Sequence, residues 1–554
     1  MSAQSAIFNP TDTTSAATGS GFSVPRLTTT GRLAIVFGTG DQGMMVYDTT
    51  LNNLFIWNGT AWVSVPDSGD STDTQVIFND NGVLVGDPGL VYDKTLQRLT
   101  VATNLRIHRG LLNDSTSTAV GASTLTETIA GAIRNTFVGS NAGQFVSSGN
   151  RNVGVGSGAI QSVNGFELTG SQNVGVGNNA LAAANQTANN NTAIGNAAGG
   201  TITTGAGNVA VGHDALNGAG TTGNNNIAVG NTAMSSASTV TGDDNIGVGR
   251  DTFRTLSSGG NNVAIGNQTL RVLSTADTCV AIGYQAGYNN TTGNSNVFIG
   301  TNAGNSSNPT TGSSNVGVGN GIFRALSSGV DNVVLGRLAG SNLTTGSYNI
   351  AIGLETLRDT VIGSDNIAIG DNCLVKTTGN DTVAIGTGAL QNQTSGIQNV
   401  AVGRSALQVI STSSNNTALG YFAAAVTSGA SNTAVGSLAM SGATAGNNNT
   451  AIGQNSLGGS LTGDANTALG TSAGSNITSG GSNICIGVTA NVSAATNSNE
   501  LVIGSNANWV ATSGTPNGYF TTASALSSGS LPINCGFIRI YLNGSFVKIP
   551  VYGN

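Results

Sequence analysis

Side chains able to do chemistry are scarce in this 554-residue chain, and their spacing limits what they could do. Only four glutamates occur: Glu127, Glu167, Glu355 and Glu500. Cleaving a glycosidic bond needs two carboxyl groups held a few ångströms apart, and no two of these four are near each other in sequence. Aspartates fall in turn-like strings: Asp243-Asp244 in TGDDN, Asp331 in GVDN, Asp365 in GSDN and Asp464 in TGDAN. Those are ordinary turn positions. Two histidines, His108 and His213, are too few and too separate for a triad or a zinc site. Cysteines at 279, 373, 485 and 535 fit neither metal-ligand nor C-x-x-C spacing. They are expected to be reduced, buried thiols of a chain folded in a reducing cytosol. No G-x-x-x-x-G-K phosphate loop exists, and the calcium-binding nonapeptide G-G-x-G-x-D does not recur. The sequence therefore predicts no catalytic residue, no metal ligand and no cofactor.

What the chain has instead is one phrase, Asn-x-small-(Val/Ile)-Gly, repeated 23 times between Gly121 and Gly504 at steps of 16 to 21 residues. Asn191, Ile194 and Gly195 belong to NTAIG; Asn208, Val211 and Gly212 to NVAVG; Asn449, Ile452 and Gly453 to NTAIG again. A short fixed period over most of a chain specifies a solenoid. Counted from the glycine, the residue before it is Val, Ile or Leu in all copies, and the residue two before is Ala or Gly in 18. The residue four before is Asn in 19. Strand periodicity sets positions −3 and −1 on one face and position −2 on the other. The branched pair is expected to fill the inside of each coil, and the small residues to face a close neighbour. An Ala-Leu or Ala-Gly mark three or four residues after the glycine predicts a second, weaker strand or a corner. The glycine should supply a sharp corner or positive φ, and the Asn column a ladder or turn cap.

Each repeat thus reads as one turn of a parallel β-helix or β-roll. Twenty-three turns at one strand spacing each would give roughly 110 Å. So thin a coil leaves an apolar face bare, which predicts an all-β fibre of three chains, intertwined or side by side.

The whole chain divides into six stretches. Residues 1–22 are a polar leader. Residues 23–65 form a small β module, with Met44–Tyr47, Leu54–Trp57 and Ala61–Val65 as strands around Asn58-Gly59. Trp57 and Trp62 should pack its core. Residues 66–115 are linker and a β-rich neck, with short strands at Val76–Phe78, Val83–Val85, Leu90–Tyr92 and Leu99–Val101. The rod covers 116–505, a linker 506–530, and a terminal hairpin 531–554 with strands near 537–542 and 545–549.

Charged residues are 8% of the chain and net charge is −7, with one lysine, Lys376, between Gly121 and Gly504. The absence of a basic patch argues against a nucleic-acid partner. No stretch of 18 apolar residues exists to insert in a membrane. The N-terminal MSAQSAIFNPTDTTSAATGSG lacks a secretion pattern, so release by lysis or within a particle is expected. Residues that could contact a receptor are Arg254 and Arg324, in the matching strings FRTLSSGG and FRALSSGV, and the aromatics Trp509, Tyr541, Phe546 and Tyr552.

The pattern NTAIGxxAL…TTGxxN, seen at Asn191, Asn349, Asn449 and Asn466, resembles bacteriophage tail-fibre and related virion-fibre proteins. It is also similar to the heads of trimeric autotransporter adhesins. Val24–Val63 looks like a module that precedes such repeats in phage structural proteins. The resemblance implies a homotrimeric, non-enzymatic virion fibre, assembled in the host cytoplasm and exposed outside. Its N-terminal part, residues 1–101, would bind other virion proteins, and its end near 506–554 would meet a host-surface glycan or protein. A bacterial trimeric adhesin is the alternative, although no signal peptide or membrane-anchor barrel is evident. A glycan-depolymerising tailspike is a third reading.

Overall fold

The computed structural model describes residues 24–36, 43–65, 73–80, 83–93, 98–101, 105–109, 116–124, 132–162, 168–182, 187–442, 444–504, 510–512, 519–521, 534–542 and 545–552. Two compact units emerge, residues 1–292 and 293–554.

The first unit opens with a small sheet of β1 (Arg26–Leu27), β2 (Met45–Asp48), β3 (Asn53–Trp57) and β4 (Trp62–Ser64), in that spatial order. The three expected strands are present, within a residue or two. The short β1 and the five-residue helix α1 (Thr29–Leu33) add a feature the alternation did not announce. They exist to place Arg32. Its Nε donates to the Asp48 carboxylate at 2.9 Å, and its guanidinium lies 3.7 Å from the centre of the Phe55 ring. The Arg32 carbonyl accepts a hydrogen bond from the Trp62 indole at 3.0 Å. Trp57 and Trp62 face each other across β3 and β4 and pack edge-on, ring centres 5.8 Å apart. Burial alone would raise the Asp48 pKa, but hydrogen bonds from Arg32, Thr29 and the Leu51 and Thr50 amides outweigh it and bring it to about 2.

After this sheet come β5 (Asp73–Asp80), β6 (Val83–Asp93), β7 (Arg98–Val101) and β8 (Leu105–Arg109), an antiparallel meander. Strand β8 pairs antiparallel with Thr118–Val120, the first rung of the coil. From there each repeat gives one three-residue strand: ten rungs in the first unit, from Thr118–Val120 to Val280–Ile282, and thirteen in the second, from Val297–Ile299 to Leu501–Ile503. Within each unit successive rungs pair in parallel with identical register, as in Thr192↔Val209, Ala193↔Ala210 and Ile194↔Val211. The parallel β-solenoid expected from the period is therefore the fold. At one strand spacing per turn the ladders run roughly 43 Å and 58 Å.

The faces are the reverse of the sequence expectation. The small residue at −2 points into the coil and the branched residues at −3 and −1 point out. Ala193 is 0% exposed, whereas Ile194 is 44% exposed; Ala468 and Leu469 read 0% and 46%. A coil of 17 residues encloses too little volume for two branched side chains per turn. It holds instead one Ala or Gly, plus the buried Ala-Leu pair after the glycine, such as Ala215 and Leu216 or Ala406 and Leu407. Where −2 is Phe, as at Phe137 and Phe298, a following glycine gives room: Gly143 and Gly304 lie against those rings.

Four residues per turn have left-handed backbone. One is the corner glycine itself, with φ of +136° at Gly195 and +133° at Gly453. The others lie at +2, +4 and −5: Asp214 (53°), Leu216 (51°) and Asn225 (56°), for example. The Ala-Leu mark is thus a corner and not a strand. A leucine at positive φ costs about 1–2 kcal/mol. It persists because its amide is held by the next turn, as Leu216 N–H donates to the Ala233 carbonyl at 2.8 Å, and because its side chain is enclosed.

At the corner glycine no other residue fits. A Cβ on Gly353 would stand 2.6 Å from the Gly370 carbonyl oxygen of the next turn. Gly388, at a +2 position with φ of 68°, has no atom nearer than 3.5 Å to a Cβ. Gly353→Ala is expected to cost about 3 kcal/mol or more and to lower the thermal midpoint followed by circular dichroism. Gly388→Asn, which matches Asn372 and its φ of 53° at +2 of the previous turn, should change stability by less than about 0.5 kcal/mol. For the N-terminal sheet, the folded pKa of Asp48 lies below its ordinary 3.8. Its stabilising contribution is complete above about pH 4 and lost as pH falls toward 2. Tryptophan fluorescence of the whole chain should report acid loosening over that window, and Asp48→Asn should show that loosening already at neutral pH.

Candidate functional site

Stacking in register turns every repeat position into a column, so a functional surface here is a column of side chains and not a pocket. Three columns matter.

The first is the asparagine at −4, buried in both units. Its Oδ1 accepts the backbone N–H of the next asparagine: Asn208 N to Asn191 Oδ1 is 2.8 Å, and Asn466 N to Asn449 Oδ1 is 2.8 Å. Its Nδ2 donates to a carbonyl of the next turn, from Asn191 to Gly205 and from Asn449 to Gly463, each 3.0 Å. This is the expected ladder, and it is structural. Ser117 begins it, accepting from Asn135 N at 2.9 Å. Glu500 ends it: its N–H donates to Asn483 Oδ1, and its buried carboxylate accepts from Ser493 N at 2.8 Å and Asn497 Nδ2 at 2.7 Å. Thr382 interrupts it, and the buried Gln393 repairs the gap. Gln393 Nε2 donates to the Gly396 carbonyl at 2.8 Å while its Oε1 accepts from Asn399 Nδ2 at 3.0 Å. No local signal in the sequence pairs Gln393 with Thr382, because the repair spans eleven residues and a coil corner.

The second column is the outward ridge at −3 and −1. It includes Val155, Val176, Ile194, Ile265 and Ile282 in the first unit and Ile352, Ile452 and Leu469 in the second, all exposed. Val211 is half-buried in the same column. The stripe is regular, aliphatic and continuous along each ladder.

The third column lies five residues after each glycine. Arg254 and Arg324 both occupy it, which explains their matching strings. The same offset also takes in Arg271 and Arg358, five after Gly266 and Gly353, which the string search missed and a count from the glycine would have found. Arg358 is engaged in ion pairs with Glu355 and Asp359. The hydrogen bond and charge of Asp359, with Glu355, push the Arg358 pKa up despite partial burial, and Arg358 in turn holds the Asp359 carboxyl below its usual range. Among the described residues no carboxylate pairs with Arg254, Arg271 or Arg324. Arg271 donates from Nη1 to the Tyr288 hydroxyl at 2.8 Å, and its guanidinium stands 5.5 Å from that ring's centre. In earlier turns of the same unit the column shrinks to Ala182 and Gly200. This leaves a shallow depression of about 340 Å³ lined by Gln161, Ser162, Asn179, Ala182, Ala197, Gly200 and Asn217.

The remaining candidates are placed as follows. Tyr541 pairs with Phe546 across the C-terminal hairpin, and Tyr552 with Asn534; its strands, Asn534–Leu542 and Ser545–Tyr552, are longer than expected. Trp509, Glu127 and Glu167 lie outside the described residues, as do the side chains of His108 and Cys535. His213 Nδ1 sits 3.0 Å from Asp214 on the surface. Cys279, Cys373 and Cys485 are buried, and burial pushes the Cys373 and Cys485 thiols up to about 12, far from a reactive thiolate. Among the described residues no group of three His, Cys, Asp or Glu could hold a metal ion, and no helix is long and apolar enough to cross a membrane.

If the ladder is a proton-specific device, exchanging one amide for an acid should break it. In Asn349→Asp the carboxylate cannot donate to Gly363 O, 2.9 Å away in the native chain, and would be buried charged. A loss of about 3 kcal/mol at pH 7 is expected. It should shrink as pH falls and the acid protonates, the opposite trend to that of Asp48. Thermal melts at pH 7 and pH 4.5 would show it.

Comparison with known families matches the model described as "Phage tail like trimerisation region" to residues 5–76, which include the Arg32–Asp48 sheet. Neither the curated proteins nor the solved structures contain a match to this chain.

Proposed function

We propose that this chain is the subunit of a homotrimeric, non-catalytic virion fibre of the phage-tail type, which carries its host contact away from the particle. The observation that supports this best is the outward aliphatic ridge. Each turn leaves one or two branched residues partly exposed, and covering the remaining surface of one such side chain is worth about 1 kcal/mol. Repeated on every turn, that term favours side-by-side packing of identical coils, with cyclic symmetry as the closed solution. A trimerisation-region match at residues 5–76 supports the same assembly, with its origin near the N-terminus as part of this reading. On this reading residues 1–101 attach to other virion proteins, and the end that carries the hairpin of Tyr541, Phe546 and Tyr552 is distal. The described glutamates are engaged in structure, Glu355 with Arg358 and Glu500 as the ladder's end, which fits a scaffold and not a hydrolase.

Sedimentation velocity with crosslinking tests the assembly. A trimer is expected for the native chain, and Ile265→Asp with Ile282→Asp, outward on neighbouring rungs, should shift it toward monomer while the β-sheet dichroism stays unchanged. A native chain that sediments as a compact monomer would overturn the reading. Gold-labelled antibodies against residues 1–60 should mark the particle-proximal end of a fibre; marking of the free tip would reverse the polarity. Depolymerisation of host capsule or lipopolysaccharide by the purified protein would replace the fibre with a tailspike.

A further inference from the structure

Arg254 and Arg271 occupy the same column on consecutive turns, joined by the Thr255 N–H to Arg271 carbonyl hydrogen bond at 3.2 Å. One strand spacing, about 4.8 Å, separates their backbones. Two like charges at that separation repel unless something negative lies between them. No carboxylate among the described residues does so. The nearest acid on that turn, Asp251, lies at the +2 position and accepts from Thr232 Oγ1 at 2.8 Å. Arg271 Nε is buried with no hydrogen-bond partner, the one guanidinium nitrogen among six such side-chain atoms of the described residues. Tyr288, one turn further, supplies a half-exposed ring that fixes the Arg271 plane. Contrast Arg358 in the second unit, whose two acids already neutralise it.

We propose that Arg254, Arg271 and Tyr288 bind a carboxylate of an acidic sugar polymer that lies along this column. The Arg254 guanidinium fork, with the terminal N–H groups of Arg271 not given to Tyr288, offers donors to one carboxylate in a geometry that arginine serves and lysine does not. The tyrosine ring offers an apolar face to the sugar. Two to five turns back from Arg254, Gln161 and Asn217 of the same column and Asn179 beside it line the uncharged depression with their amides. Such groups donate and accept without a charge requirement, which suits sugar hydroxyls. A polymer is favoured over a single small anion because both features lie on one line and the strand spacing repeats between them. The site rests on the attachment reading given above and names the class of surface polymer it would take.

The test uses the full chain and fluorescently labelled oligogalacturonate, with dextran and poly-glutamate as comparators, read by fluorescence anisotropy at two salt concentrations. Expected is oligogalacturonate binding that weakens with salt, falls at least about tenfold in Arg254→Gln/Arg271→Gln, and is unchanged in Arg151→Gln. Arg151 is an exposed turn arginine whose position in the next turn is Gln172. Arg254→Gln alone, at a half-buried side chain without an ion pair among the described residues, should already weaken binding and keeps the test decisive if the double variant melts early. Arg271→Lys should retain the charge but not the full affinity. The proposal is overturned if the native chain binds no acidic polymer, if the double variant binds as well as the native chain, or if poly-glutamate binds as tightly as the sugar. None of those results depends on whether the fibre is found on particles, so failure of the site and failure of the fibre reading remain separable.

Discussion

One steric constraint underlies this fold: the corner glycine of each turn sits directly over the carbonyl of the next. At Gly212 and Gly453 a Cβ would lie 2.5 Å from the oxygen above it. That contact brings successive turns to strand spacing at the corner itself, where a β-structure would normally splay. With the corners stacked, rungs pair in identical register, and a residue's offset from its glycine fixes its neighbours above and below. Every column described here follows from that.

Close stacking would be ruinous if it left polar groups unpaired inside. The asparagine ladder resolves this by using the one small side chain that has both a donor and an acceptor in a plane. Oδ1 takes an amide of the next turn and Nδ2 gives to a carbonyl of the next turn, so the ladder is self-propagating and needs no water. Its exceptions are informative. Glu500 stands where no further turn follows, and a carboxylate that only accepts is satisfied by Ser493 and Asn497. Gln393 shows that when the ladder fails internally another amide must reach the same carbonyl. The left-handed leucines are a cost of the same geometry, tolerated because each is enclosed and hydrogen-bonded across turns.

Closing so narrow a coil forces the apolar surplus outward. The coil has room for Ala and Leu, not for the branched pair as well, so Val and Ile form a ridge. The surface is otherwise mostly amide, hydroxyl and glycine, charged residues being 8% of the chain, with little long-range field. Against that background a stacked arginine pair is a local event and not one patch among many. The columns thus differ in kind: −4 holds the turns together, −3 and −1 form the outward aliphatic ridge, and +5 carries the arginines.

The sequence by itself determined the period, the three-residue strand, the positive-φ glycine, the asparagine ladder and the parallel stack, because each is a local requirement repeated until chance is excluded. It also marked Arg254 and Arg324 as equivalent, since they share flanking residues. Alternation of −3, −2 and −1 showed that the two faces differ. It did not show which face is enclosed, because that depends on how much volume the closed coil leaves. Only the tertiary structure put Ala193 inside and Ile194 outside. It alone set Arg271 beside Arg254, matched Gln393 to Thr382, and joined Arg32 to Asp48 through a helix too short to show periodicity. Those are contacts between turns or across a sheet, fixed by closure and register, and no window of neighbouring residues contains them.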